Sequence, residues 1–272
     1  MAEIYFDNSS TTRVCREAAE KVMEVMTEEY GNPSSLHTKG FRAEQEMSAA
    51  RESVAQALGA EPGEITFTSG GTESNNIALF GAARARRKRG RRIVTTAIEH
   101  PSVLNTVARL EQEGFEVIRL QPDGAGKIAP EQFREAVTPD TILVSVMRVN
   151  NEVGSIQPVE AAADAIEAAK APALLHVDAV QAFGKLRLRP RRMRADLMSV
   201  SGHKIHAPKG VGALYIRSGV HIEPLTYGGG QERDMRPGTE SVPLIAGLGA
   251  AVRALPEPEA ELARMRELNG FL

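Results

Sequence analysis

The chemistry begins with a lysine on a short turn and an acid at the end of a strand. Residues 196–216, DLMSVSGHKIHAPKGVGALYI, read as two apolar strands flanking Ser201, Gly202, His203 and Lys204. The lysine therefore sits on a Gly/Pro-bounded turn, from which its side chain can project into a cleft. Upstream, LLHVDAVQ is an apolar strand ending in Asp178, with Gln181 three residues further on. Taken alone, a lysine is ordinarily exposed surface charge. Paired with a strand-end carboxylate, it can hold an aldehyde while the acid holds a pyridinium nitrogen. A ligand carrying both groups is pyridoxal 5'-phosphate.

Three further stretches carry groups of the same kind. Thr68 to Asn76, TSGGTESNN, follows the apolar run ITF and opens a helix pattern. Its glycines, Gly71 among them, let backbone approach a ligand, and the free N–H groups at a helix start, beside Thr72, favour an anion such as phosphate. A Gly-rich strand-to-helix turn without a ligand is the alternative reading; the Walker spacing GxxxxGK[ST] is absent. His100, in IEHPS, follows the run RIVTTA, where a flat ring could stack on a cofactor and move protons, or be merely structural. Asn151, in VNNEVG, follows ILVSVM, where an amide could bind a ligand oxygen or simply cap a turn.

The elements that must position these residues follow from periodicity. From Ile65 onward, ITFTS, RIVTTA, EVIRL, ILVSVM, ALLHVD, LMSV and ALYI are short β-rich runs, most of them separated by helix patterns such as SVLNTVARLEQEG and VEAAADAIEAAKA. Such alternation predicts an α/β fold with a mainly parallel sheet covered by helices on both faces, in three layers. Its ligand crevice belongs at the strands' carboxyl ends, where every candidate residue falls. Before Ile65 the pattern predicts a short strand over residues 4–6, a turn-rich DNSSTT, a helix over 16–26 and a loop over 30–37. A second helix over 40–58 follows, with Phe41, Met47, Val54 and Leu58 as core positions.

Composition limits the alternatives. At 272 residues and 42% hydrophobic the chain can bury a full core. It has no run of about 20 apolar residues to span a membrane and no secretion-type opening, so a cytoplasmic location is expected. The single cysteine, Cys15, excludes an internal disulfide framework and a multi-cysteine zinc site; no metal is expected. A formal net charge of -2 gives no global basic field for nucleic acid. Two arginine-rich runs, 84–92 and 187–194, lack interleaved aromatic residues and read as solvated connections.

As a set, IYFDNSSTT, YGNPSSLH, FTSGGTESNN, EHPSV, VNNEVG, HVDAVQAFGK, SGHKIHAPKGVGALY and GGGQERDMRPGTES resemble, in family order, class V (fold type I) pyridoxal-phosphate enzymes. The wording is similar to cysteine desulfurases of the NifS/IscS type. The resemblance implies removal of sulfur from L-cysteine, giving L-alanine and an enzyme persulfide for iron-sulfur cluster or thio-cofactor assembly. It implies that Lys204 binds the cofactor aldehyde and moves protons, Asp178 pairs with the pyridine nitrogen, and His100 stacks on the ring and assists acid/base steps. Gln181 and Asn151 would contact the ring hydroxyl region. Gly71, Thr72, Ser201 and His203 would bind the phosphate, joined by Thr239 from the neighbouring subunit of a homodimer. Partners would be L-cysteine and an iron-sulfur scaffold or other sulfur-acceptor protein, without nucleic acid or membrane.

The same resemblance sets out a domain plan. Residues 1–14 would belong to a small domain left incomplete, 15–255 would form the cofactor-binding large domain, and 256–272 would begin a linker helix. The family's mobile-loop cysteine and the arginine that holds the substrate carboxylate are expected beyond residue 272, with Cys15 not a substitute, so this chain can bind the cofactor and still be inactive alone. Ala207 and Asp234 depart from the family pattern, which has glycine and a small residue there. Two other functions share most of these features: another class V enzyme, such as an aminotransferase or selenocysteine lyase, and a non-catalytic partner-binding scaffold.

Overall fold

A computed structural model describes residues 4–271. Residues 1–3 of the expected N-terminal piece and Leu272 of the expected linker lie outside the described residues.

The chain begins with helices α1 (Arg16–Thr27) and α2 (Thr38–Leu58), then strand β1 (Ile65–Thr68) and α3 (Gly71–Arg86). Next come β2 (Arg92–Thr96), α4 (Pro101–Gln112), β3 (Glu116–Leu120), α5 (Pro130–Ala136) and β4 (Thr141–Met147). After α6 (Val159–Ala168) follow β5 (Leu174–Asp178), the single-turn α7 (Pro190–Met193), β6 (Leu197–Ser201) and β7 (Gly212–Ile216). Helices α8 (Val242–Arg253) and α9 (Pro258–Asn269) close the described chain. Each of the seven β-rich runs read from the sequence is a strand.

The strands form one sheet in the order β1-β7-β6-β5-β4-β2-β3. Only β7 runs against its neighbours, β1 and β6; the other pairs are parallel. One face packs Ile93, Leu143, Leu174, Leu197 and Leu214 against Ile77 and Leu79 of α3 and Val103 and Val107 of α4. The other face packs Val94, Val144, Val177 and Val200 with residues of α2, α5, α6 and α8. Strands β4 and β5 are buried along their whole length, as central parallel strands must be.

Side-chain alternation then decides what the α3 face receives. Leu174 points to that face, so His176 and Asp178 do too. His176 is buried and spans three strands, with Nδ1 2.9 Å from Ser145 Oγ and Nε2 3.0 Å from Ser199 Oγ. Burial pushes its pKa down to about 3, so it is a neutral staple beneath the strand end that bears Asp178.

Two expectations are corrected. Residues 4–6 pair with no strand among the described residues, and Ile4 and Phe6 are exposed; a three-residue apolar run is not a strand without a sheet edge to join. Phe41 is exposed while Met47, Val54 and Leu58 are buried, because the six-residue step from 41 to 47 turns about 240° at about 100° per residue. Within the two arginine runs, Arg92 pairs with Glu116, Arg187 with Glu259, and Arg194 with Asp164 and Glu167. Among the described residues, no helix is long and apolar enough to cross a membrane.

Candidate active site

The turn after β6 is one turn of 3-10 helix, Gly202–Lys204. The segment 9–12 seats it: Thr12 donates to His203 O through its N–H at 2.8 Å and its hydroxyl at 2.9 Å. Lys204 Nζ donates to Ser10 O at 2.8 Å and also to Ser9 O. Burial holds the Lys204 ammonium below its ordinary value, while Asp7 and Asp178 pull the other way. Imine chemistry with an aldehyde needs the free amine, which a lowered pKa makes easier to reach. Ala207 is accommodated without cost to the turn, since the left-handed residue is His206, at φ 63°. Asp234 lies at φ 63° as well, a left-handed conformation that Asp tolerates better than most residues with a Cβ.

Asp178 ends β5 with its side chain in the interior. Burial raises its pKa, opposed by hydrogen bonds from Val180 N–H and Asn75 and by the charge of Lys204. Asn75, on the inner face of α3, donates to Asp178 Oδ2 at 2.7 Å and to Ser102 Oγ at 2.9 Å. Ser102 Oγ lies 2.8 Å from His100 Nδ1, and Ser102 N–H donates to the same nitrogen at 3.1 Å. With Nδ1 accepting, the imidazole proton sits on Nε2. One hydrogen-bonded path thus fixes the acid and the ring together. Beside it, Glu99 is buried, accepting from Thr96 Oγ1 at 2.7 Å and Met147 N–H at 2.9 Å. Burial pushes its pKa up to about 8, so it is a neutral acid at pH 7.

The third wall is the start of α3. Gly70 takes φ 148°, a conformation reserved for glycine. A Cβ on Gly71 would stand 2.6 Å from Val180 Cγ2, so glycine is required where the start of α3 borders the hollow beside the loop after β5.

These walls enclose a cavity of about 750 Å³. Gly71, Thr72, His100, Asn151, Asp178, Gln181, Ser201, His203 and Lys204 all line it. Gln181 is engaged on both ends of its amide, donating to Ser9 O at 2.9 Å and accepting from Lys185 Nζ at 3.3 Å. Thr239 does not line the cavity and is exposed, and Cys15 lies at the N-cap of α1, also away from the cavity.

The family model described as aminotransferase class-V matches residues 4–270. The chain belongs to this family. The cysteine desulfurase IscS of Methanosarcina thermophila is 46% identical over 276 residues, covering 99% of this chain and 68% of that protein. Among solved structures, a NifS-like protein superposes with a TM-score of 0.92 at 45% identity, covering 97% of this chain and 71% of the other. The structure of SspA in complex with cysteine superposes with a TM-score of 0.90 at 39% identity, covering 98% of this chain and 78% of the other. The fold is therefore that of the NifS-like, fold type I enzymes, and the chain is a class V enzyme of the pyridoxal-phosphate-dependent cysteine desulfurase type.

The cavity of this class V chain suits its cofactor. Among the described residues the buried acid Asp178 forms no direct ion pair, and its raised pKa suits a pyridinium N–H as partner. The glycine hollow at a helix start suits a phosphate, and Lys204 suits an aldehyde. Several residues that build the site were not singled out in the sequence: Asn75, Ser102, Glu99 and the carbonyls of Ser9 and Ser10. The first asparagine of GGTESNN, four residues after Gly71 and so on the same helical face, was the available signal for Asn75.

Proposed function

We propose that this chain is the cofactor-binding part of an L-cysteine desulfurase, acting on L-cysteine to release its sulfur and leave L-alanine. The observation that carries the reading is the convergence of Lys204, Asp178 and His100 on one cavity beside a glycine hollow at a helix start. The SspA relative, solved in complex with cysteine, supports the substrate class.

Bound, pyridoxal 5'-phosphate supplies an electron sink that makes the substrate's Cα–H acidic. Lys204 takes and returns the proton at Cα, helped by burial that lowers its affinity for its own proton. Asp178 keeps the ring nitrogen protonated, and the low-dielectric surroundings that strain the lone acid strengthen that ion pair. His100 bears its mobile proton on Nε2, placed by Ser102 for transfer at the substrate. Gly71, Thr72, Ser201 and His203 would hold the phosphate through N–H groups and hydroxyls, and Asn151 and Gln181 would contact the ring hydroxyl region.

In this reading a second copy of the chain contributes Thr239, a sulfur-acceptor protein takes the product sulfur, and the work is done in the cytoplasm. The family's sulfur-accepting cysteine belongs to sequence other than Cys15. To test the function, the chain loaded with pyridoxal 5'-phosphate is given L-cysteine, the cofactor's absorbance is followed, and any product is identified. The absorbance should shift with L-cysteine, and not with Lys204→Ala, while turnover to L-alanine and sulfide needs the sulfur-accepting cysteine that Cys15 does not supply. An oxo acid in place of alanine would reassign the reaction to transamination.

A further inference from the structure

The segment between β7 and α8 is anchored by a buried ion pair and delivers a charge to the cavity rim. Glu232, Arg233 and Asp234 have φ of 46°, 56° and 63°, a left-handed run that is costly for residues with a Cβ. The buried Glu232 carboxylate accepts from Arg51 Nη1 at 2.9 Å, Arg51 Nη2 at 2.7 Å and Phe67 N–H at 2.8 Å. That fixes the run against β1, the outermost strand on its side of the sheet.

Four residues after Glu232, Arg236 Nε donates to Glu73 Oε1 at 3.0 Å. Glu73 is the third residue of α3 and lines the cavity. Its other oxygen accepts from the Ser69 N–H. Burial pushes the Glu73 carboxyl up, but the Ser69 N–H and Arg236 outweigh it and hold it below the usual range, so it is ionised. A bare carboxylate on the rim of an anion cradle repels the phosphate dianion that the cradle receives.

We propose that Arg236 is a positioning residue for the phosphate cradle: by pairing with Glu73 it cancels that carboxylate's field and keeps it on the Ser69 N–H. It acts on the phosphate of the ligand and not on its ring. The inference rests on residues 69–72 forming the phosphate site.

The test compares pyridoxal 5'-phosphate with pyridoxal, which lacks the phosphate. Dissociation constants for both are measured by absorbance titration of the whole 272-residue chain as wild type, Arg236→Gln, Glu73→Gln and the double variant. Arg236→Gln should weaken pyridoxal 5'-phosphate about tenfold, the size of one uncompensated charge near a half-buried site, and leave pyridoxal unchanged. Adding Glu73→Gln should restore the lost affinity, since a neutral amide still accepts from Ser69 without repelling phosphate. Equal weakening of both compounds, unchanged phosphate-ester affinity in Arg236→Gln, or a double variant no better than the single one would overturn the proposal. Failure of the wild-type chain to bind either compound would instead sink the site reading, and this inference with it.

Discussion

Asn75 Nδ2 lies 2.7 Å from Asp178 Oδ2, so a side chain of α3 holds the acid at the end of β5. The same amide donates to Ser102, and through it α3 also sets the ring of His100. Asn75→Ala removes a donor from a buried carboxylate and should cost about 1–3 kcal/mol, read as a lower urea midpoint. Asn75→Asp should be worse than Ala, because it sets two carboxylates at hydrogen-bond distance in the interior.

Glu99 makes stability fall as pH rises from 4.5 to about 8. Its folded pKa, about 8, is above the ordinary value of 4.5, so between those limits the folded chain binds a proton that the unfolded chain has lost. Its contribution is present below pH 4.5 and is lost as pH rises through 8, at a slope approaching ~1.4 kcal/mol per pH unit. Glu99→Gln keeps an acceptor for Thr96 and Met147, and should flatten the fall in stability between pH 4.5 and 8 in a profile from urea melts.

His176 shapes the acid limb with the opposite sign. Its folded pKa is about 3 against an ordinary 6.5, so stability is full above pH 6.5 and is lost as pH falls towards 3. His176→Asn should lower the neutral-pH midpoint by breaking the Ser145–Ser199 bridge, yet lose less additional stability between pH 6.5 and 4.5 than wild type.

Arg51 and Glu232 form a buried pair whose disruption is expensive. Glu232→Ala strands the Arg51 guanidinium and removes the acceptor for Phe67 N–H, and should cost about 3–5 kcal/mol. Arg51→Met combined with Glu232→Met should recover part of that loss in the same melts, since no charge is then left unpaired and only the Phe67 N–H and Ile65 O lose a partner.

The sheet was legible because each strand is a short apolar or β-branched run, and the cavity was legible because its residues follow those runs at the carboxyl edge. Phe41 and residues 4–6 were misplaced for want of local information: a helical phase error in one case, a missing strand partner in the other. The relay through Asn75 and Ser102 and the Glu73–Arg236 pair were invisible for a different reason. Glu73 and Arg236 are 163 residues apart and Asn75 and Asp178 are 103 apart, so only the folded topology brings them together. Buried groups such as Glu99 and His176 looked like ordinary loop and strand residues, because burial decides their charge state.

The most direct measurement is to load the chain with pyridoxal 5'-phosphate, trap the adduct with borohydride and locate the modified lysine by mass spectrometry. Lys185 is a demanding competitor, since burial pushes its pKa down to about 8 and its charge interacts with that of Lys204. The pyridoxyl label should fall on Lys204 and disappear in Lys204→Ala. A label on Lys185, or one spread over surface lysines, would contradict the assignment of the cavity.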